Sequence, residues 1–129
     1  MINRIIQWWH KKLEERRASA MFEREVIVRV NDVGISAAYP NDETQSLEWH
    51  NVARIAIETN DSGPWGADLW WLIEGTDIRC AYPGGATGDI EALRVFPTKF
   101  PGFSDEAVIK ANGCTSNDRF VCWERKNAL

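Results

Sequence analysis

The chain lacks long hydrophobic runs, paired cysteines and an excess of basic residues, and each absence excludes a class of protein. No apolar stretch in the 129 residues approaches the roughly 20 that a membrane-spanning helix needs. The net charge of −4 argues against nucleic acid as the main ligand, because phosphate binding requires clustered lysine and arginine. The composition, 44% hydrophobic and 26% charged, is typical of one folded globular domain.

Few residues could hold a metal ion or a disulfide framework. The three cysteines are Cys80, Cys114 and Cys122, without a CxxC pair, and the two histidines, His10 and His50, lie 40 residues apart. We therefore expect no metal and no cofactor. We interpret the cysteines as reduced side chains of a cytoplasmic protein, and we expect Cys80 and Cys122 to be more buried than Cys114.

No catalytic signature stands out. A thiol nucleophile would need one of the cysteines beside a histidine, and Glu58, Asp61 and Asp68 could in principle serve as acid and base. Residues 84–88 are glycine-rich and precede a predicted helix, but they lack the Gly-Lys-Ser/Thr ending of a phosphate loop. We interpret that segment as a strand-to-helix connection and predict that the protein is not an enzyme.

The first 20 residues differ from the rest of the chain. Residues 1–20 carry five basic and two acidic residues, a net charge of +3, whereas residues 21–129 carry ten basic and seventeen acidic residues, a net charge of −7. A helical period also runs through this segment, with one apolar face: Ile2, Ile5, Ile6, Trp9 and Leu13. The sequence thus predicts an amphipathic helix followed by one domain over residues 21–129.

Three interpretations of that helix stay open. Its apolar residues Ile5, Ile6, Trp9 and Leu13 could dock on the domain or on a second copy in a homodimer. Residues 1–17 could instead lie on an anionic membrane surface, with the tryptophans at the interface and the basic residues near the headgroups. The segment could also be a flexible lead.

After residue 22 the apolar period becomes two, which predicts strands. Residues 26–30 and 33–39, joined by a turn, predict a hairpin. A third extended piece begins at Leu47 and continues to Ile57. Residues 69–73 are apolar on both faces, which is typical of a central strand covered on both sides. Residues 78–82 are its expected hairpin partner.

The remaining pattern predicts two helices and a short strand. The first helix covers residues 89–96, with Thr87 as a possible N-cap and Pro97 as its end. Its expected buried face is Ile90, Leu93 and Phe96. The second helix begins after Ser104, ends at Asn112-Gly113 and has its apolar face at Ala107, Val108 and Ala111. With a last strand at 120–123, the fold class is α+β with a mainly antiparallel meander sheet.

Residues 47–55, Leu-Glu-Trp-His-Asn-Val-Ala-Arg-Ile, show a strand that enters on tryptophan, followed by a polar pair and then apolar residues. This pattern resembles the third strand of small bacterial pleckstrin-homology-like domains, and the resemblance covers about residues 24–96. The tail, residues 100–109 and 120–125, is similar to the ending of a group of small uncharacterised bacterial proteins. The resemblance implies a domain that binds lipids, peptides or proteins and rarely catalyses.

The polar loop of residues 58–68 is the candidate contact surface. Trp65 could fold back over the core, or it could be an aromatic anchor ringed by Glu58, Asp61 and Asp68. The resulting hypothesis is a non-catalytic module that binds another, basic protein, in its most specific form an immunity-type inhibitor. A peripheral membrane protein tethered by its first helix is the alternative, and an uncharacterised enzyme is a third.

Overall fold

The structure is a computed structural model that describes residues 23–60 and 69–126. Within these ranges the chain forms seven strands, two complete α-helices, a helical stretch at residues 23–25 and one 3-10 turn over Trp49–Asn51. The strands are β1 (Ile27–Val30), β2 (Gly34–Ala38), β3 (Thr44–Glu48), β4 (Arg54–Thr59), β5 (Leu69–Glu74), β6 (Arg79–Pro83) and β7 (Asp118–Glu124). The helices are α1 (Asp89–Lys99) and α2 (Asp105–Asn112).

All strand pairs are antiparallel, and they form two sheets rather than one. The three-stranded sheet has the order β1-β2-β3, and the four-stranded sheet has the order β6-β5-β4-β7. The α+β class, the antiparallel pairing and the two predicted hairpins are confirmed. β5 has a neighbour on each side, so its prediction as a central strand is also confirmed.

The predicted third extended piece is in fact two strands that belong to different sheets. Between β3 and β4 the chain turns through the 3-10 segment, where the Trp49 indole donates to the backbone oxygen of Asn31 over 2.8 Å. Trp49 and Val52 are both buried. The corner is therefore held by packing and by a bond to a distant turn, which strand periodicity does not report.

The two sheets meet where β3 and β2 approach β6. The Gln45 side-chain oxygen accepts a hydrogen bond from the backbone N–H of Ala81 over 2.8 Å. The hydroxyl of Tyr39 donates to the carbonyl oxygen of the same residue. These two side chains satisfy backbone groups of β6 at the edge where no strand pairs with it, as buried polar groups require.

The core lies between the two sheets and under α1. Phe96 of α1 is fully buried, and its ring lies near those of Trp49, Trp71, Phe100 and Phe103. In β4 and β5 the core side chains are Ile55, Ile57, Trp71 and Ile73, and we call the sheet side that carries them the inner face. Both helices pack on the inner face, α2 through Ala107, Val108 and Ala111.

The start and end of α1 differ from the predictions. The N-cap is Gly88, in the left-handed region, and Thr87 does not cap because its hydroxyl donates to the carbonyl of Arg24. Pro97 lies inside the helix instead of ending it. Pro97 cannot donate a backbone hydrogen bond, but the helix tolerates this loss because Phe96 and Phe100, on either side of the proline, are both buried.

The predicted limits of α2 are confirmed. The Ser104 hydroxyl accepts from the Ala107 N–H over 3.1 Å, as an N-cap should, and Gly113 ends the helix. The predicted amphipathic helix of residues 1–20, with Ile5, Ile6, Trp9 and Leu13, lies outside the described residues.

Candidate functional site

Two large apolar side chains stand exposed on neighbouring helices. Ile90 of α1 is 57% exposed and Ile109 of α2 is 71% exposed. They line a groove of about 390 Å³ together with Leu93 and Val108, and the rim carries one acidic and one basic side chain, Asp105 and Arg94. An apolar surface of this kind with a charged rim is typical of an interaction site.

The groove continues into a second cavity of about 380 Å³, because Ile90, Leu93 and Val108 line both. Trp71 and Leu69 of β5 also line this cavity, so it reaches the end of the four-stranded sheet at which β4 finishes and β5 begins. Asp89, Asn112 and Cys114 supply its polar atoms. We call the two cavities together the helix groove.

The helix groove has rigid walls because both helices are anchored from beneath. Phe96 and Phe100 fix α1 to the core, and Ala111 fixes α2. The Asp89 carboxylate accepts from the Gly85 N–H over 2.9 Å, which ties the first turn of α1 to the loop before it. A preformed apolar groove binds a partner with little loss of conformational entropy.

Sequence reasoning placed Ile90 on the buried face of α1, and that prediction is wrong. The buried stripe runs through Ala92, Phe96 and Phe100, at a spacing of four residues. Helical periodicity favours Ile90 over Ala92, because alanine is small and contributes little to an apolar pattern. The sequence did indicate that Ile109 is exposed, because this isoleucine lies off the predicted apolar face of its helix.

Cys114 differs from Cys80 and Cys122 in its exposure and in the pKa of its thiol. Hydrogen bonds from Ser116 and Thr59, whose hydroxyl oxygens each lie 3.4 Å from the sulfur, lower the pKa of Cys114 below its ordinary value. Burial raises the pKa of Cys80 to about 12 and that of Cys122 to about 11. The predicted contrast between the buried pair and the more exposed Cys114 is confirmed.

We expect iodoacetamide to alkylate Cys114 first in the folded protein. The thiolate is the reacting form, so the rate should rise with a midpoint below the ordinary thiol pKa, while Cys80 and Cys122 react only on unfolding. Mass spectrometry of digests across a pH series measures this order. Thr59→Val removes a hydroxyl that lies 3.4 Å from the sulfur and 2.7 Å from the Ser116 carbonyl oxygen, so the midpoint should move upward. First labelling at Cys80 would contradict the assignment.

The described residues place no histidine beside that thiol. His50 lies before β4 and its ring contacts Glu48 at 2.5 Å, whereas Cys114 contacts Thr59 at the far end of the same strand. A six-residue strand spans about 17 Å, too far for proton transfer. His10 lies outside the described residues.

Backbone N–H groups of the glycine-rich segment, residues 84–88, already donate hydrogen bonds to carbonyl groups of the same chain. The N–H of Gly84 donates to Leu69, that of Ala86 to Pro83 and that of Thr87 to Val26. A phosphate-binding loop needs such groups free. The interpretation of this segment as a structural connection therefore agrees with its geometry.

Glu58 is exposed on β4, but its carboxylate is already paired. It lies 2.9 Å from the Arg119 guanidinium, which also contacts Glu74. Arg54 continues this row of charges to Glu124, at 3.0 Å. Glu58 alternates with the inward-facing Ile57 and Thr59, so it lies on the opposite side of the sheet from the helix groove.

The other predicted contact residues, Asp61, Trp65 and Asp68, lie outside the described residues. The two ends of their loop are described, and both lie near the helix groove. Leu69 lines the groove, and Thr59 contacts Cys114, which lines it as well. The chain segments on both sides of residues 61–68 therefore lie beside the helix groove, which the sequence pattern did not indicate.

No protein-family model, curated protein or solved structure matches this chain. Residues 23–60 and 69–126 contain no helix with the length and apolar character needed to cross a membrane. Over the same ranges, no three histidine, cysteine or acidic side chains gather closely enough to hold a metal ion.

Proposed function

We propose that this protein is a non-catalytic module that binds another protein in its helix groove. The observation that carries the proposal is the joint exposure of Ile90 and Ile109 over a groove between two anchored helices. Burying two such side chains in a partner contributes about 2–3 kcal/mol, and a few well-packed apolar residues dominate many interfaces.

The proposed partner is a basic protein. The chain carries a net charge of −4, and the helix groove is lined by two acidic side chains, Asp89 and Asp105, against one basic side chain, Arg94. Asp61, Trp65 and Asp68 are proposed as a second contact, because the ends of their loop adjoin the groove. Carboxylates steer a basic partner toward the site, and the apolar contacts then hold it.

The most specific form of the proposal is an immunity-type inhibitor of the bacterial cytoplasm that occludes a basic toxin domain. Small size, acidity and a rigid apolar groove support this role. The finer fold proposal is a pleckstrin-homology-like framework, supported by the strand pattern of residues 24–96. Frameworks of that kind present grooves and loops to ligands and rarely catalyse.

The experiment compares capture by two variants that make similar apolar-to-serine changes on different faces. The groove variant is Ile90→Ser/Ile109→Ser, and its control is Val33→Ser/Ile78→Ser, whose side chains are 61% and 52% exposed outside the groove. Tagged full chains are used on native lysate, and the captured protein is then purified and titrated. We expect the groove variant to bind about 30- to 100-fold more weakly, which corresponds to about 2–3 kcal/mol, and the control to bind like the parent.

Equal loss of binding in both variants would contradict a groove-specific site. Retention of the partner by the groove variant, with loss in a Trp65→Ala variant, would move the contact to the loop. Circular dichroism checks that each variant folds, which exposed positions should permit.

A further inference from the structure

The side of the four-stranded sheet turned away from the core is apolar at its centre. Its central side chains alternate with the inner ones along each strand: Ala56, Trp70, Leu72, Ala81, Pro83 and Val121. We call this surface the outer face. The Arg119 guanidinium contacts both Glu58 and Glu74, so these ion pairs cross the β4 part of the face, where Ala56 lies.

The centre of the outer face is buried. Ala56 is 0% exposed, Leu72 is 4% exposed and Ala81 is 8% exposed. None of the three belongs to the cluster of buried side chains between the sheets. The ion pairs of Arg119 account for the burial of Ala56, but Leu72 and Ala81 pair with each other on β5 and β6. A leucine on an uncovered part of a sheet would keep much of its surface in water, so the burial of Leu72 and Ala81 requires a cover.

The described helices do not supply that cover. α1 reaches the sheet through Phe96, which contacts Trp71 on the inner face. α2 packs through Ala111 into the same core cluster. Within residues 23–60 and 69–126, both helices are thus committed to the other side of the sheet.

The described chain begins near the end of β6, where the outer face and the helix groove meet. A Cβ placed on Gly85 would lie 2.7 Å from the Glu23 carboxylate, and Thr87 binds the carbonyl of Arg24. Gly85 follows Pro83, which pairs with Trp70 on the outer face. Residues 1–22 therefore join the domain at the end of β6, from which the outer face is within reach.

The size and pattern of the preceding segment match the surface. A helix over residues 1–17 is about 26 Å long, and four strands form a face about 19 Å wide. Its predicted apolar stripe of Ile5, Ile6, Trp9 and Leu13 complements an apolar centre. Its net charge of +3 complements the −7 of the rest of the chain.

We infer that residues 1–17 form a helix that packs on the outer face of the same chain. The two surfaces of the domain then have different occupants. The outer face takes the chain's own helix, and the helix groove stays open for a partner. The apolar stripe of the helix is consequently buried on protein and is not presented to a membrane. This inference is independent of the proposed function, because it concerns the opposite side of the sheet.

Site-specific photo-cross-linking tests the contact in the full chain. Trp9→benzoylphenylalanine places a photoreactive ring on the predicted apolar stripe. We expect cross-links to peptides of residues 69–83 and 118–124, within one chain. A mixture of ¹⁴N- and ¹⁵N-labelled chains distinguishes the same chain from a second copy.

Hydroxyl-radical footprinting supplies a second measurement with a matched pair of variants. Ile6 lies on the predicted apolar stripe, whereas Gln7, about 100° further round the helix, lies off that stripe. Ile6→Asp should therefore expose the outer face, and Gln7→Asp should not. We expect labelling of Leu72 to rise several-fold in Ile6→Asp only. Labelling of Ile90 and Ile109 should stay unchanged, which shows that the domain is still folded.

Three outcomes would overturn the inference. Cross-links that join differently labelled chains would make a second copy the occupant. Flotation of the chain with phosphatidylserine-rich vesicles, together with no cross-link to the sheet, would favour the membrane. Full protection of Leu72 in Ile6→Asp would assign the cover to another segment. Loss of groove binding alone would affect only the proposed function.

Discussion

Replacing Phe96 with alanine is expected to destabilise the domain by about 3–5 kcal/mol, a large share of the stability of a chain this size. The side chain is fully buried, and its ring centroid lies 5.6 Å from both Trp71 and Phe103 and 6.3 Å from Trp49. These rings belong to different elements and cannot all collapse into one cavity. Urea unfolding followed by circular dichroism measures the loss.

Ile90→Ala is the matched control, six residues earlier on the same helix. Because Ile90 is 57% exposed, we expect this change to cost well under about 1 kcal/mol. Similar losses in the two variants would mean that α1 does not pack on the face described. A Phe96→Ala variant that still folds should also bind the partner more weakly, since Phe96 holds one wall of the helix groove.

Gly88→Ala is expected to cost about 3 kcal/mol or more. Gly88 has φ of +92°, where a side chain is strained by about 1–2 kcal/mol. A Cβ there would also lie 2.1 Å from the carbonyl oxygen of Val28, a backbone atom that cannot rotate away. The N–H of Val28 donates to Thr87 over 2.7 Å, so relieving the clash pulls β1 from the start of α1.

Gly102→Ala is the control for Gly88→Ala, because it introduces the backbone strain without the steric clash. Gly102 has nearly the same φ, +90°, but a Cβ there would meet nothing within 4 Å. We expect a loss of about 1–2 kcal/mol, from backbone strain alone. Thermal and urea unfolding of the two variants should therefore differ, and equal losses would show that the contact with β1 adds nothing.

Local sequence determined the elements whose stability comes from neighbouring residues. The hairpin of β1 and β2 follows from alternation around a turn in which Asn31 accepts from the N–H groups of Val33 and Gly34. Ser104 caps α2 through a bond to Ala107, three residues away. The apolar run of β5 identified the central strand, because only a strand covered on both sides tolerates apolar residues on both faces.

Only the tertiary structure decided the features that depend on distant contacts. The chain changes sheets at Trp49 because its indole binds Asn31, which alternation along the strand cannot report. α1 passes through Pro97 because Phe96 and Phe100 are buried in the core, which outweighs one lost backbone bond. Ile90 is exposed because Ala92 takes the inward position on α1. Helical periodicity alone assigned Ile90 to the buried face, so the helix groove could be located only from the packing of the helix.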